Sequence, residues 1–92
     1  EDVVPMAMHA AVKLRRSVRN LRHVLAIELI AAAEALEYRR PLRSSRPIED
    51  AHALVRMHVA PARGDRAPSP DIARLADALA AGAFDALVGG AP

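Results

Sequence analysis

Residues 5–38 read PMAMHAAVKLRRSVRNLRHVLAIELIAAAEALEY, and the expected fold is organised around this stretch. It contains no glycine, and no proline after Pro5. Ala, Leu and Arg, which dominate it, are among the strongest helix formers. About 34 residues at 1.5 Å each would make one helical rod of roughly 50 Å. The sequence therefore predicts one helix over about 5–38.

Signals at both ends support these limits. Asp2 is suited to cap the helix, and Pro5 fits the first turn, where its missing N–H costs little. Arg39 and Arg40 follow at the end where cations are favourable, and Pro41 prevents continuation.

This helix carries more apolar side chains than the rest of the chain can bury. In the first half they form one seam, and in the second half the block 24–33 is apolar almost all the way round. A helix that is apolar on every side must be surrounded by protein. We therefore expect other chains, or residues beyond these, to complete the packing. The seam, called the leucine stripe below, comprises Ala11, Leu14, Val18, Leu21 and Leu25.

The rest of the chain predicts two shorter helices, about 48–60 and 71–81, and an apolar C-terminal hook over 82–92. Loops are predicted over 41–47, before the first of these helices, and over the proline-rich stretch 61–70 between them. The whole is expected to be all-α, with one long helix and two or three short ones.

The amino-acid composition excludes several classes of protein and of functional site. The 92 residues contain no cysteine, which excludes disulfide scaffolds, cysteine-ligated zinc and a cysteine nucleophile. The net charge of +2 is mild for a nucleic-acid binder. No secretory signal is visible, so we expect a cytoplasmic protein. Because the first residue is Glu1, we expect a fragment or a processed chain.

Few side chains qualify as chemical sites. The spacings of His9 with His23, and of His52 with His58, do not suit metal ligation from one helix face, so surface or packing roles are expected. An Arg triplet on one stripe could bind phosphates, although a solvated face or pairing with a partner's acids is the expectation. Glu28 interrupts the seam, either as a buried, paired carboxylate or as an exposed break. The Arg triplet is Arg15, Arg19 and Arg22.

Taken together, several segments resemble the C-terminal end of the histidine and aromatic amino-acid ammonia-lyases. The resemblance runs along nearly the whole chain, in order and spacing. It rests on Glu1-Asp2-Val3-Val4-Pro5-Met6, Asn20-Leu21-Arg22, the block 24–33, Arg39-Arg40-Pro41-Leu42 and Pro68-Ser69-Pro70-Asp71-Ile72.

The resemblance implies that residues 1–92 form one segment of a larger helical bundle. That bundle would be a lyase or aminomutase, assembled as a homotetramer with shared active sites. Such enzymes use a methylidene-imidazolone (MIO) electrophile formed from an Ala-Ser-Gly triad. Glu1 matches a substrate-binding and catalytic glutamate of histidine-type members. Asp2 matches the acidic residue that follows it, which would be a structural hydrogen-bond acceptor. The implied partners are the rest of the lyase, its other subunits and an amino-acid substrate, with no nucleic acid, membrane or metal.

This sequence departs from the family pattern in two respects. Histidine-type members usually carry His at the position of Val3 and Ser at that of Pro5, so histidine, phenylalanine and tyrosine all stay open as substrates. These 92 residues hold no Ala-Ser-Gly triad, and Tyr38 does not match the family's catalytic tyrosine. The MIO group is expected upstream, and the segment alone is expected to be inactive.

Two other interpretations stay open. The chain could be a self-contained helical interaction module that dimerises through Leu14–Leu25. More weakly, it could bind nucleic acid or an anionic surface through Arg15, Arg19 and Arg22, in which case affinity would fall steeply with salt.

Overall fold

The computed structural model describes residues 3–61 and 67–88 of the chain. The described residues form three α-helices and a short 3₁₀ helix, and no strand occurs among them. They are α1 (Val3–Tyr38), α2 (Arg46–His58), α3 (Ser69–Ala80) and the 3₁₀ helix (Asp85–Val88). The all-α architecture with one dominant helix confirms the expected fold class.

The long helix α1 has 36 residues and runs two residues further toward the N-terminus than expected. At its other end it stops at Tyr38, as predicted, before the turn that leads to Pro41. There the N–H of Leu42 donates to the carbonyl of Arg39 at 2.9 Å. The proposed cap, Asp2, lies outside the described residues.

Both short helices begin two residues before the expected starts of about 48 and 71. The reason is the same in each case. Pro47 and Pro70, which were expected in loops, occupy the first helical turn, where a missing N–H costs no hydrogen bond.

Each short helix also ends earlier than expected. The helix α2 stops at His58 rather than about 60, and Val59 is already extended. Pro61 disfavours helical conformation in the residue before it, which explains an early stop. The helix α3 stops at Ala80, and Gly82 then turns the chain with a φ of +85°. Of the predicted hook over 82–92, the structure describes only 82–88.

A small core lies where α3 and α2 pack against the C-terminal part of α1. Its largest fully buried side chains are Leu75 of α3, Val55 of α2 and Val59 just beyond α2. Small residues of α1, Ala26 and Ala33, let the other helices approach closely. Leu29, Ile30, Ile72, Leu79, Ala83 and Phe84 surround this core.

The core therefore covers only one end of α1. Every side chain from Met6 to Leu25 is exposed except that of Arg22, which is half-buried. The molecule is accordingly elongated, with extents of 63 × 39 × 16 Å.

Candidate functional site

The acidic pair predicted to form an active-site edge, Glu1 and Asp2, lies outside the described residues. The helix α1 begins immediately after this pair, at Val3. The roles assigned to both acids therefore stay predictions.

The four histidines do not share one environment. His9 and His23 are exposed on α1, and Nδ1 of His23 lies 3.0 Å from the carbonyl of Arg19. His58 is half-buried, its ring centroid 6.4 Å from that of Phe84. Among residues 3–61 and 67–88, no group of three or more His, Asp or Glu side chains is gathered as metal ligands.

The Arg triplet and Glu28 lie on the open surface of α1. Arg15 and Arg19 are exposed and Arg22 is half-buried; none of the three forms an ion pair within the described residues. Glu28 is also exposed, so within this chain it is an open break in the seam rather than a buried carboxylate.

The leucine stripe is a second surface of note. Leu14, Val18, Leu21 and Leu25 are 66%, 37%, 57% and 41% exposed. Large apolar side chains at helical spacing, left in water over several turns, mark an interaction surface. Within the described chain, nothing covers this stripe.

A cluster of charged side chains, which the sequence analysis missed, joins α1 to α2. Arg56 of α2 donates from Nη2 to Oε1 of Glu34 at 2.9 Å and from Nε to Oε2 of Glu37 at 2.6 Å. Nε2 of His52 lies 3.1 Å from the same Glu37 oxygen. We call Glu34, Glu37, His52 and Arg56 the ion-pair cluster.

A second charged contact secures the start of α2. Arg40 forms a two-pronged contact with the Glu49 carboxylate, at 2.9 Å and 2.7 Å. The N–H of Ser44 donates to the same carboxylate at 2.8 Å. Glu49 thus ties the loop after α1 to the first turn of α2.

These contacts shift the acidity of two carboxyl groups. Hydrogen bonds from Arg40 and from the Ser44 N–H, with the nearby Arg43 charge, lower the pKa of Glu49 to about 2. Partial burial raises the pKa of Glu37, but hydrogen bonds and charge from Arg56 and His52 outweigh it. The net result is a lowered pKa for Glu37, so both carboxylates stay ionised at neutral pH.

The ion-pair cluster is built to hold helices together rather than to bind a ligand. Its side chains bond to one another and to the carbonyl of Val59. No buried side-chain nitrogen or oxygen in the described parts of the chain lacks a partner. Beside it, a small apolar cleft of about 150 Å³ opens between α1 and α2, lined among others by Leu36, Ile48 and Val55.

A sequence signal for this cluster did exist. Glu34 and Glu37 are three residues apart, and His52 and Arg56 are four apart, so each pair lies on one helix face. Opposite charges on two faces, separated by a short loop, are typical of antiparallel neighbours. Which faces meet depends on the loop geometry, and the spacing alone does not give it.

Comparison with known proteins identifies a matching family and several similar proteins. A protein-family model described as "Aromatic amino acid lyase" matches residues 1–57. The chain is 46% identical to a histidine ammonia-lyase of Rhodospirillum rubrum over 88 residues, which is 96% of this chain. It is equally similar, at 46% over 96% of its length, to a histidine ammonia-lyase of Symbiobacterium thermophilum.

A histidine ammonia-lyase of Anaeromyxobacter dehalogenans is 45% identical over 85 residues. The chain spans 17% of the length of each of these three relatives. No solved structure matches it significantly. No helix within 3–61 and 67–88 combines the length and hydropathy needed to cross a bilayer.

Proposed function

Because this chain belongs to the aromatic amino acid lyase family, we propose that it forms the C-terminal part of a cytoplasmic MIO-type ammonia-lyase. The complete enzyme would eliminate ammonia from histidine or a related aromatic amino acid. The observation that carries this proposal is the similarity to histidine ammonia-lyases, at 46% identity over 96% of the chain. The names of these relatives favour histidine as the substrate.

In this proposal the chain has two tasks, of which the first is subunit packing. The exposed leucine stripe supports it, because a contiguous exposed apolar surface marks a site where another protein segment binds. The family resemblance implies that the covering helices belong to the rest of the lyase and its other subunits, assembled as a homotetramer.

The second task is to supply one edge of the active site through Glu1. A carboxylate there would hold the cationic ammonium or imidazole group of the substrate, and could accept a proton if its pKa were raised by burial. Asp2 would fix the start of α1 by accepting hydrogen bonds from its first N–H groups.

The residues present cannot form the MIO electrophile themselves. The MIO group forms by cyclisation of Ala-Ser-Gly, and the 92 residues contain no such triad. On this proposal the group belongs to another part of the complete polypeptide, and the chain alone should release no ammonia from histidine.

The test substitutes Glu1 in the complete polypeptide to which, on this proposal, the chain belongs. Ammonia release and the absorbance of the unsaturated acid product would be followed with histidine, phenylalanine and tyrosine. We expect Glu1→Gln and Glu1→Ala to lower kcat/KM for histidine strongly, with the helical circular dichroism and oligomer mass unchanged.

A matched control is Asp77→Asn, which removes an exposed carboxylate on α3 far from the start of α1 and should leave the kinetics unchanged. Unchanged kinetics of both Glu1 variants would remove Glu1 from the active site. Failure of the complete polypeptide to release ammonia from all three amino acids would overturn the proposed activity itself.

A further inference from the structure

Charge is distributed very unevenly along α1. Between residues 3 and 23 there are five basic side chains and no acidic one, whereas residues 24–38 carry three acids and no Lys or Arg. The basic half coincides with the part of α1 that projects beyond the core. The five cations are Lys13, Arg15, Arg16, Arg19 and Arg22.

Two of these cations border the leucine stripe. Arg15 lies four residues after Ala11, and Arg22 four residues after Val18, so both stand beside the stripe on the same side. Neither forms an ion pair with any described residue. The surface is therefore an apolar seam with an unpaired basic edge.

A second copy of α1 would be a poor occupant of this surface. The acids of α1 are Glu28, Glu34 and Glu37, and the last two are already bonded to Arg56 of α2. A second copy would bring five more cations and offer Glu28 as its one acid outside the ion-pair cluster. Like charges brought together in this way oppose association.

Nucleic acid would be a poor occupant for a different reason. Phosphates could pair with Arg15 and Arg22, but Leu14 and Leu21 would stay in water. Bases bind single-strand proteins largely by stacking on aromatic side chains. The only aromatic residue of α1, apart from its histidines, is Tyr38 at the opposite end.

We propose that the leucine stripe and its basic edge bind a helix of another polypeptide segment, one that is apolar along one face and carries Asp or Glu beside that face. Burial of the apolar seam against the partner helix would stabilise the complex. The basic edge would orient that helix and select an acidic one, because charge complementarity discriminates between partners. This inference rests on the packing role proposed above and names the chemistry of the partner.

The test uses two labelled three-heptad peptides as probes. Both have Leu at the seam positions; one has Glu and the other Lys at the flanking positions. Fluorescence anisotropy would measure their binding to the 92-residue chain. Two solvent-accessible ion pairs together lower a dissociation constant roughly tenfold. We therefore expect the Glu peptide to bind about tenfold more tightly than the Lys peptide at low salt. This preference should shrink as salt rises.

Matched charge variants identify the surface. Arg15→Glu with Arg22→Glu should reverse the preference, so that the Lys peptide binds more tightly. The control, Arg16→Glu with Arg39→Glu, changes the net charge by the same amount at two exposed positions away from the stripe and should keep the preference. Circular dichroism would verify that helix content is unchanged in both variants.

Four outcomes would overturn the inference. They are equal affinity for both peptides, binding of neither peptide, tighter binding to a DNA duplex or to phosphatidylglycerol vesicles, and a stable homodimer by light scattering that Leu21→Asp dissociates. None of these readouts involves ammonia release, so the inference and the proposed enzyme activity can fail separately.

Discussion

Arg56 of α2 donates from Nε to Oε2 of Glu37 on α1, at 2.6 Å, and the two residues are nineteen positions apart in sequence. The Arg56 side chain is 12% exposed, and its Nη1 also donates to the carbonyl of Val59 at 3.3 Å. One guanidinium thus joins α1, α2 and the residue just beyond α2. This contact adds to the apolar packing that holds the two helices against each other.

Replacing Arg56 by Met keeps the aliphatic stem but removes the guanidinium that donates to both Glu34 and Glu37. We expect the free energy of unfolding to fall by about 1–3 kcal/mol, because hydrogen bonds to charged groups contribute more than neutral ones. Urea unfolding followed by circular dichroism would measure the loss. The control, Arg74→Met, removes a 57% exposed partner of Asp71 and should change stability by no more than about 0.5 kcal/mol. Equal losses in the two variants would contradict this role of Arg56.

The ion pairs also predict a loss of stability in acid. The pKa of Glu49 is lowered from 4.5 to about 2 by Arg40 and the Ser44 N–H. A carboxyl group with a lowered pKa stabilises the folded state fully above its unfolded value and loses that contribution as pH falls through its folded value. The contribution of Glu49 should therefore be lost between about pH 4.5 and pH 2.

This prediction can be measured by NMR titration of the Glu49 side-chain carboxyl carbon, whose midpoint should lie near pH 2. Unfolding experiments across the same range should show a weaker pH dependence in Glu49→Gln, which has no carboxylate to protonate. A Glu49 midpoint near 4.5 would show that the Arg40 contact does not form in solution.

Two leucines of similar chemistry should differ sharply in what they contribute. Leu75 is fully buried between the helices, whereas Leu14 is 66% exposed. We expect Leu75→Ala to lower the free energy of unfolding by about 2–5 kcal/mol through lost burial and a cavity. Leu14→Ala should change it by no more than about 0.5 kcal/mol in the isolated chain. A large effect of Leu14→Ala on urea unfolding would show that the leucine stripe is already covered, by self-association, in the isolated chain.

Helix content and the C-terminal end of α1 could be predicted because they depend on neighbouring residues. The uninterrupted run up to Tyr38 and the stop before Pro41 are local signals, and α1 obeys both. The errors at α2 and α3 are local as well. Pro47 and Pro70 were treated as loop residues, although proline is favourable in the first turn of a helix.

The ion-pair cluster could not be predicted in the same way. Glu37 and Arg56 meet because the loop after Tyr38 turns α2 back along α1, and residue spacing does not specify that turn. The exposed state of Glu28 was one of two alternatives that the periodicity left open. The position of Glu1 relative to the rest of the molecule stays a prediction, because it lies outside the described residues.

From the residues alone one can predict that the chain is helical, that α1 is long, and that its apolar surface exceeds what the chain can cover. These properties follow from helix propensity and from the spacing of apolar residues, which act within a few turns. The three-dimensional packing was needed to show which end of α1 is covered and which charged groups pair. Those contacts join residues distant in sequence, and their geometry is fixed by the packing of α3 and α2 on Ala26 and Ala33.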